Sequence, residues 1–593
     1  MKFLPPYFIH LLLPPLALLL ALGIAQTPLG KKMEYLTVDS RFQARAPHDP
    51  PAHPDLLLVG IGEQGIEHFG QWPWPRSIHG QLLQLLQLRP PTAITFDLIF
   101  SEPSQDSGHD DVFASGLEMH PGAITGTSAE DLGHLSADAT ADSVPGPFIG
   151  NTPALTRLTG DPSAIPGQDF ALMPIPKLAE TSLTGFVNVA PSAVDGYRRQ
   201  VPLVIRVGSG EEAQVYPSLV LQTLMRKEHL GPQQVEIVLG SAITLHGEDH
   251  QWRIPIDESG RMTINYRGNL QEESNVFLHN EISYFGLTYF LLEHAAQHNA
   301  GEKTLWPEDY QPNPDDPSTR YPVPPVEDQF LLIGQTAAGL TDFGPTPLGK
   351  QTPLVRVHAS ALNNILQNDY LRTFPDWPII LGWLLLGWPL SLILRRKSIG
   401  VSILIPLAII GIYGGTCFLS FAHSSLHMPL VWPVFGFVIA QTGSLIQRLT
   451  MEAQAKNRIK SIFSAYVAPE VVHQLVESGE DPKLGGEETE ITAFFSDIQG
   501  FSTFSEQLSP TELVALMNEY LSEMSHILKY AGSGTLDKFI GDAMVGIFGA
   551  PYHYPDHAYR SCVTAIEMHR RQGELRDAWK ASGQWPDLVH QMR

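Results

Sequence analysis

Four continuous apolar runs divide this 593-residue chain: residues 7–25, 377–394, 401–422 and 428–446. Each is near the ~20 residues a helix needs to cross a hydrocarbon core. Between the first and second runs the hydrophobic pattern is that of a globular domain. Residues 55–61 read as a buried strand. Ile78, Leu82, Leu83, Leu85 and Leu86 then recur at helical spacing behind Ser77, a candidate N-cap. Residues 92–100 form a second apolar, β-branched run. Strand, helix, strand in that order predicts a βαβ unit and a parallel sheet. Residues 102–147, rich in Asp, Ser, Gly and His, and residues 307–328, rich in proline and acid, predict irregular loops.

Beyond the last apolar run, residues 447–466 are polar with Leu449, Ile459, Ile462 and Phe463 interspersed, and their Ala, Lys and Arg favour a helix. The spacing is too irregular to establish a coiled coil. The period then changes again. Residues 490–497 read as a central strand. Ser509 is placed to cap a helix opened by Pro510, with Leu513, Leu516, Met517, Tyr520, Leu521 and Met524 on one face. Residues 536–540 and 543–548 predict a hairpin turning at Gly541-Asp542. Residues 588–593 read as the start of a further strand.

Flanking charge orients the apolar runs. Arg395, Arg396 and Lys397 lie between the second and third, which predicts a cytoplasmic loop. Residues 421–427 carry no Lys or Arg and are expected outside; Arg448, Lys456, Arg458 and Lys460 are expected inside. Around the first run Lys31 and Lys32 follow and Lys2 precedes, against the rule. An uncleaved anchor is expected there, with a cleaved signal peptide as the alternative. Either places residues 27–375 outside the cytoplasm. The expected organisation is an anchor at 1–26, an external domain at 27–375, membrane helices at 377–394, 401–422 and 428–446, a signalling linker at 447–484 and an output domain at 485–593. It is an α/β multidomain membrane protein set in a lipid bilayer, in the inner membrane of the cell.

Composition adds exclusions. Asp plus Glu number 62 against 38 Lys plus Arg, which argues against a nucleic-acid partner. Two cysteines, Cys417 in an apolar run and Cys562 in the output segment, offer neither a disulfide framework nor a cysteine zinc site.

The candidate chemistry lies in Phe494-Phe495-Ser496-Asp497-Ile498-Gln499-Gly500-Phe501-Ser502 and Lys538-Phe539-Ile540-Gly541-Asp542. Asp497 ends one predicted strand and Asp542 sits in the turn of a hairpin. Two hard carboxylates at one sheet edge suit Mg²⁺ or Mn²⁺ shared with phosphate, although turn aspartates also serve local hydrogen bonding. The backbone amides from Ile498 to Thr503 are placed to cradle phosphates.

These motifs, with Phe548-Gly549-Ala550-Pro551, resemble the class III nucleotidyl cyclase catalytic domain. The resemblance implies an α+β, ferredoxin-like domain in which Asp497 and Asp542, assisted by the Ile498 carbonyl, hold two Mg²⁺ or Mn²⁺ ions. It implies that Gly500, Phe501 and Ser502 contact substrate and that Lys538 reads adenine, guanylate cyclases usually carrying glutamate there. The implied reaction turns ATP into cyclic AMP and pyrophosphate, in a homodimer with metals from one chain and the lysine from the other. A guanylate cyclase, or a receptor whose cyclase-like domain only dimerises or binds nucleotide, are the alternatives. The family's second base-selecting residue, and the asparagine and arginine that stabilise its transition state, fall after Arg593 in the pattern. The polypeptide as given is therefore expected to be an inactive fragment, such donors being worth on the order of a thousandfold in rate. Gly485-Gly486-Glu487-Glu488 resembles a diguanylate cyclase signature but precedes the metal strand and is read as an acidic lead-in.

A second resemblance covers the external domain. Trp72-Pro73-Trp74-Pro75-Arg76, Phe96-Asp97 with Phe100 and Glu102-Pro103, and Asp195-Gly196-Tyr197-Arg198-Arg199 are similar to the CHASE sensor of the second type. So are Leu332-Ile333-Gly334, Thr336-Ala337, Asp342, Thr346-Pro347-Leu348-Gly349 and His358-Ala359. It implies an extracytoplasmic sensor for a ligand or stimulus the sequence does not name. Trp72 and Trp74 read as turn or core packing, and Arg76 as the ion-pair partner of Asp97 or another carboxylate. His68, His79 and His109 show no metal-ligand spacing.

Overall fold

The computed structural model describes residues 6–130, 141–142, 148–208, 213–248, 250–268, 281–299, 306, 309–310, 321–337, 339–340, 342–394, 397–464, 488–551 and 553–593. Arg395-Arg396, most of the proline- and acid-rich loop, part of the 102–147 loop and the linker from 465 to 487 with Gly485-Gly486-Glu487 lie outside the described residues. The chain divides into two compact units, Met1–Thr442 and Gly443–Arg593.

The first unit contains the predicted strand, helix and strand as Leu56–Ile61, Arg76–Leu86 and Ala93–Ile99. The two strands are not neighbours. Phe330–Gln335 lies between them, parallel to both, with Leu56 and Ala93 each opposite Phe330. The parallel sheet continues through Ile124–Glu130 to Leu183–Phe186 on one side and to Glu281–Ser283 on the other. Period 2 explains the unbroken apolar runs of these strands. Leu57, Val59 and Ile61 pack with the helices Arg76–Leu86, Ser107–Glu118 and Tyr284–Asn299, while Leu56 and Leu58 pack with Leu219–Lys227 and Leu354–Leu366. A sheet covered on both faces needs apolar residues at every position.

Trp74 is buried and donates from Nε1 to the Gly70 carbonyl at 2.9 Å, with Trp72 edge-on to it, which is the expected packing role. Arg76 pairs with Asp110 at 2.7 Å rather than with Asp97. Asp97, toward the carboxyl end of its strand, is buried, and its Oδ2 has no hydrogen-bond partner among the described residues. His358 Nε2 lies 3.7 Å from its other oxygen, beyond hydrogen-bond range. Burial pushes the Asp97 carboxyl up to about 7, and burial followed by the Asp97 charge pushes Asp342 up to about 6. Burial draws His358 down to about 4. In all three groups burial penalises the charged form.

Among the described residues, two helices, Asp376–Leu394 and Ile399–Ser424, are long and apolar enough to cross a membrane. The N-terminal pair Leu12–Gln26 and Pro28–His48, bent by 83°, adds a third only if it forms one span. The expected span at 428–446 does not form a helix of its own, and its helix is not one of these two. It lies inside the 34-residue helix Val431–Ser464, where Gln441, Thr442, Ser444, Gln447 and Arg448 dilute the apolar run. That helix still joins the others. Trp383 packs with Ala17, Leu18, Ala21, Trp432 and Ala440, and its Nε1 donates to the Pro433 carbonyl at 3.3 Å.

In the second unit, the helix Pro510–His526 starts as predicted. Ser509 accepts from the Glu512 amide, and Glu512 accepts from the Ser509 amide. The segment expected to begin a strand instead turns as a 3₁₀ helix, Val589–Gln591, through successive bonds from Val589 to Pro586, Gln591 to Leu588 and Met592 to Val589. Val589 and Met592 are buried in the core of this unit, so the apolar pattern reflects burial rather than sheet pairing.

A folded carboxyl with a raised pKa contributes stability that is complete below its unfolded value of about 4 and is lost as pH rises through about 7. Asp97→Asn removes that loss. The variant's stability advantage over the parent should grow between pH 4.5 and 7.5 by on the order of 2–4 kcal/mol, read from melting of the detergent-solubilised chain. A difference independent of pH would contradict the burial of an uncompensated carboxyl at this position.

Candidate active site

The second unit holds a three-stranded antiparallel sheet. Ala543–Phe548 is central, Thr492–Ser496 lies on one side and Thr535–Ile540 on the other. The register runs from Thr492 opposite Phe548 to Ser496 opposite Met544. Asp497 leaves its strand at the point where the neighbouring hairpin turns. Gly541 takes φ +66° in that turn, a left-handed conformation suited to glycine, and Asp542 follows it directly into the central strand. The structure thus brings the two predicted carboxylates to one sheet edge. The Ile498 amide donates to Asp542 Oδ2 at 3.3 Å, tying one loop to the other.

Tyr520 is the residue that sequence reasoning missed as part of this site. It is buried on the helix Pro510–His526, and its hydroxyl is pushed up to about 12 by burial and then by the charges of Asp542 and Asp497. Its place in a 3.6-residue apolar stripe hid this, because a tyrosine there reads simply as core.

The amide cradle is narrower than the sequence suggested. The Ile498 amide serves Asp542, Gln499 donates to the Arg593 carbonyl, Phe501 to Ile498 and Thr503 to Gly500. The amides of Gly500 and Ser502 have no partner among the described residues. Gly500, at φ +80°, starts the short helix Phe501–Ser505. The Phe501 ring packs edge-on against Phe504, 5.5 Å between centroids, so its side chain belongs to the core.

Lys538 stands in a cross-strand row with Val545 and Phe495, hence on the same sheet face as both. The opposite face carries Phe494, Leu536, Met544 and Phe548 into the core. The Lys538 face is uncovered at its edges. Phe495 is 70% exposed, and the Lys538 side chain, 3.1 Å from Asp537, is 59% exposed.

A parallel α/β domain with apolar helices is thus followed by a unit with paired carboxylates at a sheet edge. The chain belongs to the CHASE2 domain family, whose model matches residues 16–393. Residues 486–580 match the adenylate and guanylate cyclase catalytic domain. Over 121 residues the chain is 36% identical to Adenylate cyclase 1 of Rhizobium meliloti (strain 1021), covering 20% of this chain and 18% of that one. Over 88 residues it is 33% identical to an adenylate cyclase of Anabaena cylindrica, covering 14% and 17%. The chain thus spans under a fifth of the length of these curated relatives. The crystal structure of the adenylyl cyclase CyaB from P. aeruginosa aligns at 41% identity over 16% of this chain and 48% of that chain, with a TM-score of 0.15.

Gly541→Ala places a Cβ on a left-handed residue, costing about 1 kcal/mol. Amide exchange at Ala543 and Val545 should accelerate about fivefold, and Gly541→Asn should recover most of the loss. Unchanged exchange in Gly541→Ala would show that the turn does not need glycine.

Proposed function

We propose that this chain is a membrane-bound, sensor-regulated adenylate cyclase that converts ATP to 3′,5′-cyclic AMP and pyrophosphate. The observation that carries this reading is the meeting of Asp497 and Asp542 at one sheet edge inside the segment that matches the cyclase catalytic domain. Two carboxylates and the adjacent Ile498 carbonyl form a hard-oxygen donor set that fits two Mg²⁺ or Mn²⁺ ions. Asp497 is exposed, so it is open to a shared ligand. When bound, the ions supply positive charge against the triphosphate and the departing pyrophosphate.

The protein's own groups do the rest. The free amides of Gly500 and Ser502, with the Ser502 hydroxyl, hold phosphate oxygens beside the carboxylates. Lys538 donates to acceptors on the adenine ring. The ribose 3′-oxygen then forms its bond to the α-phosphorus as the bond to pyrophosphate breaks.

Two chains make one site. Phe495, exposed in the row it shares with the buried Val545 and with Lys538, leaves an apolar side chain that a second copy would cover, for about 2 kcal/mol. The carboxylates of one copy then face the Lys538 of its partner.

The first unit is the sensor, and it lies outside the cytoplasm. The Lys- and Arg-free loop, whose Leu426–His427 pairs with Arg372–Thr373, lies on the sensor side, while Lys397 precedes Ile399–Ser424 and Arg448 follows the apolar run within Val431–Ser464. The chain is thus multi-pass, with its output segment in the cytoplasm.

Mn²⁺-dependent binding of a fluorescent ATP analogue tests this reading. Asp497→Ala should weaken it by about tenfold or more, as expected for loss of a charged ligand. Lys538→Glu should shift competition from ATP toward GTP. Binding that ignores Asp497→Ala would sink the carboxylate assignment, and a parent that prefers GTP would make the chain a guanylate cyclase.

A further inference from the structure

In the first unit a cavity of about 480 Å³ opens between the helix Pro28–Arg45, residues 188–205 and His427, shortly before Val431–Ser464 begins. Its size falls in the range of small-molecule sites. Its walls are part apolar, from Val38, Pro202, Ile205 and Leu371, and part charged.

The charges are matched with one exception. Arg199 is held by Asp39 at 2.6 and 2.9 Å and by Asp195 at 2.8 and 3.0 Å. Its guanidinium also lies over the rings of Tyr35 and Tyr197, at 4.4 and 5.1 Å. Glu34 accepts from the amides of Leu430 and Val431, at 3.0 and 2.8 Å, and from Arg41 at 3.3 Å. Burial pushes its carboxyl up, but the hydrogen bond with His427 and then the Val431 and Leu430 amides hold it below the usual range. Arg261 differs. Its backbone amide bonds to Asp257, but its half-buried guanidinium has no hydrogen bond, ion pair or ring contact among the described residues. The hydroxyls of Tyr35 and Tyr197, on the same wall, also lack partners among the described residues.

An unmatched guanidinium in a concave, partly dry wall favours an anion, and its planar fork suits a carboxylate. The apolar wall suits a hydrocarbon body. We propose that this cavity is the sensor's ligand site and takes a small organic carboxylate, its charged end on Arg261 and its body against Val38 and Leu371. The site borders the start of the output-bound helix. Glu34 lines the cavity and caps the first amides of Val431–Ser464, with Arg41 reaching the Met428 carbonyl at 2.8 Å. A ligand that orders the Glu34 wall therefore stabilises that cap. This inference rests on reading the first unit as a sensor. It is tested by binding alone, so its failure leaves the cyclase reading standing.

The test uses the full chain in lipid nanodiscs, with benzoate, octanoate and succinate as probes and benzamide as the uncharged control. At least one carboxylate should raise the melting temperature, as any ligand selective for the folded state does, and should slow amide exchange at Leu430 and Val431. Benzamide should do neither. Arg261→Gln should melt like the parent without ligand and bind the active carboxylate at least about tenfold more weakly; Arg261→Lys should keep most of the affinity. Three outcomes overturn the proposal: no carboxylate protects, benzamide protects as well as benzoate, or Arg261→Gln binds like the parent. Protection without slower exchange at 430 and 431 overturns the coupling to the helix.

Discussion

The pairing of Ala543–Phe548 with both its neighbours is the constraint on which the output unit depends. Neither carboxylate is placed by a side-chain contact strong enough to hold it alone. The backbone ladder does the placing, because Ser496 opposite Met544 and Ile540 opposite Ala543 bring Asp497 and Asp542 to the same edge. A one-residue slip would turn Phe494 outward and Phe495 inward and would move Asp497 away from the turn. Burial of Phe494, Met544 and Phe548 on the helix side enforces the register. Catalytic geometry and core packing are therefore set by one alternation.

Much of this was legible in the sequence. The strand at 490–497, the cap at Ser509 and the hairpin at Gly541-Asp542 rest on local chemistry, which sequence states directly. What was not legible is long-range. Nothing local says that Phe330–Gln335 separates two strands of a βαβ unit, because central parallel strands all share one unbroken apolar pattern. Residues 588–593 look alike whether buried as a strand or as a turn. Tyr520 was visible only as core, and the amides of Gln499 and Phe501 could not be known to be already occupied.

The first unit puts polar groups where burial penalises them. Asp97, Asp342 and His358 sit at the carboxyl ends of parallel strands or beside them, where desolvation pushes the two carboxyls up and the imidazole down. Glu34 follows a different rule. Its charge is sustained by His427 and two helix-start amides, so it links the helix Pro28–Arg45 to Val431–Ser464. A long helix with a charge-dependent cap at its first turn is well placed to respond to changes in the neighbouring cavity.

The central claim is a site shared between two copies, with carboxylates from one and Lys538 from the other. The most direct measurement mixes two disabled chains, Asp497→Ala and Lys538→Ala, and follows Mn²⁺-dependent binding of a fluorescent ATP analogue. Each variant alone should bind at least about tenfold more weakly than the parent, and their mixture should regain parent-like binding, because the mixed dimer holds one intact site. A mixture that stays silent while the parent binds, or a single variant that binds like the parent, would contradict the account.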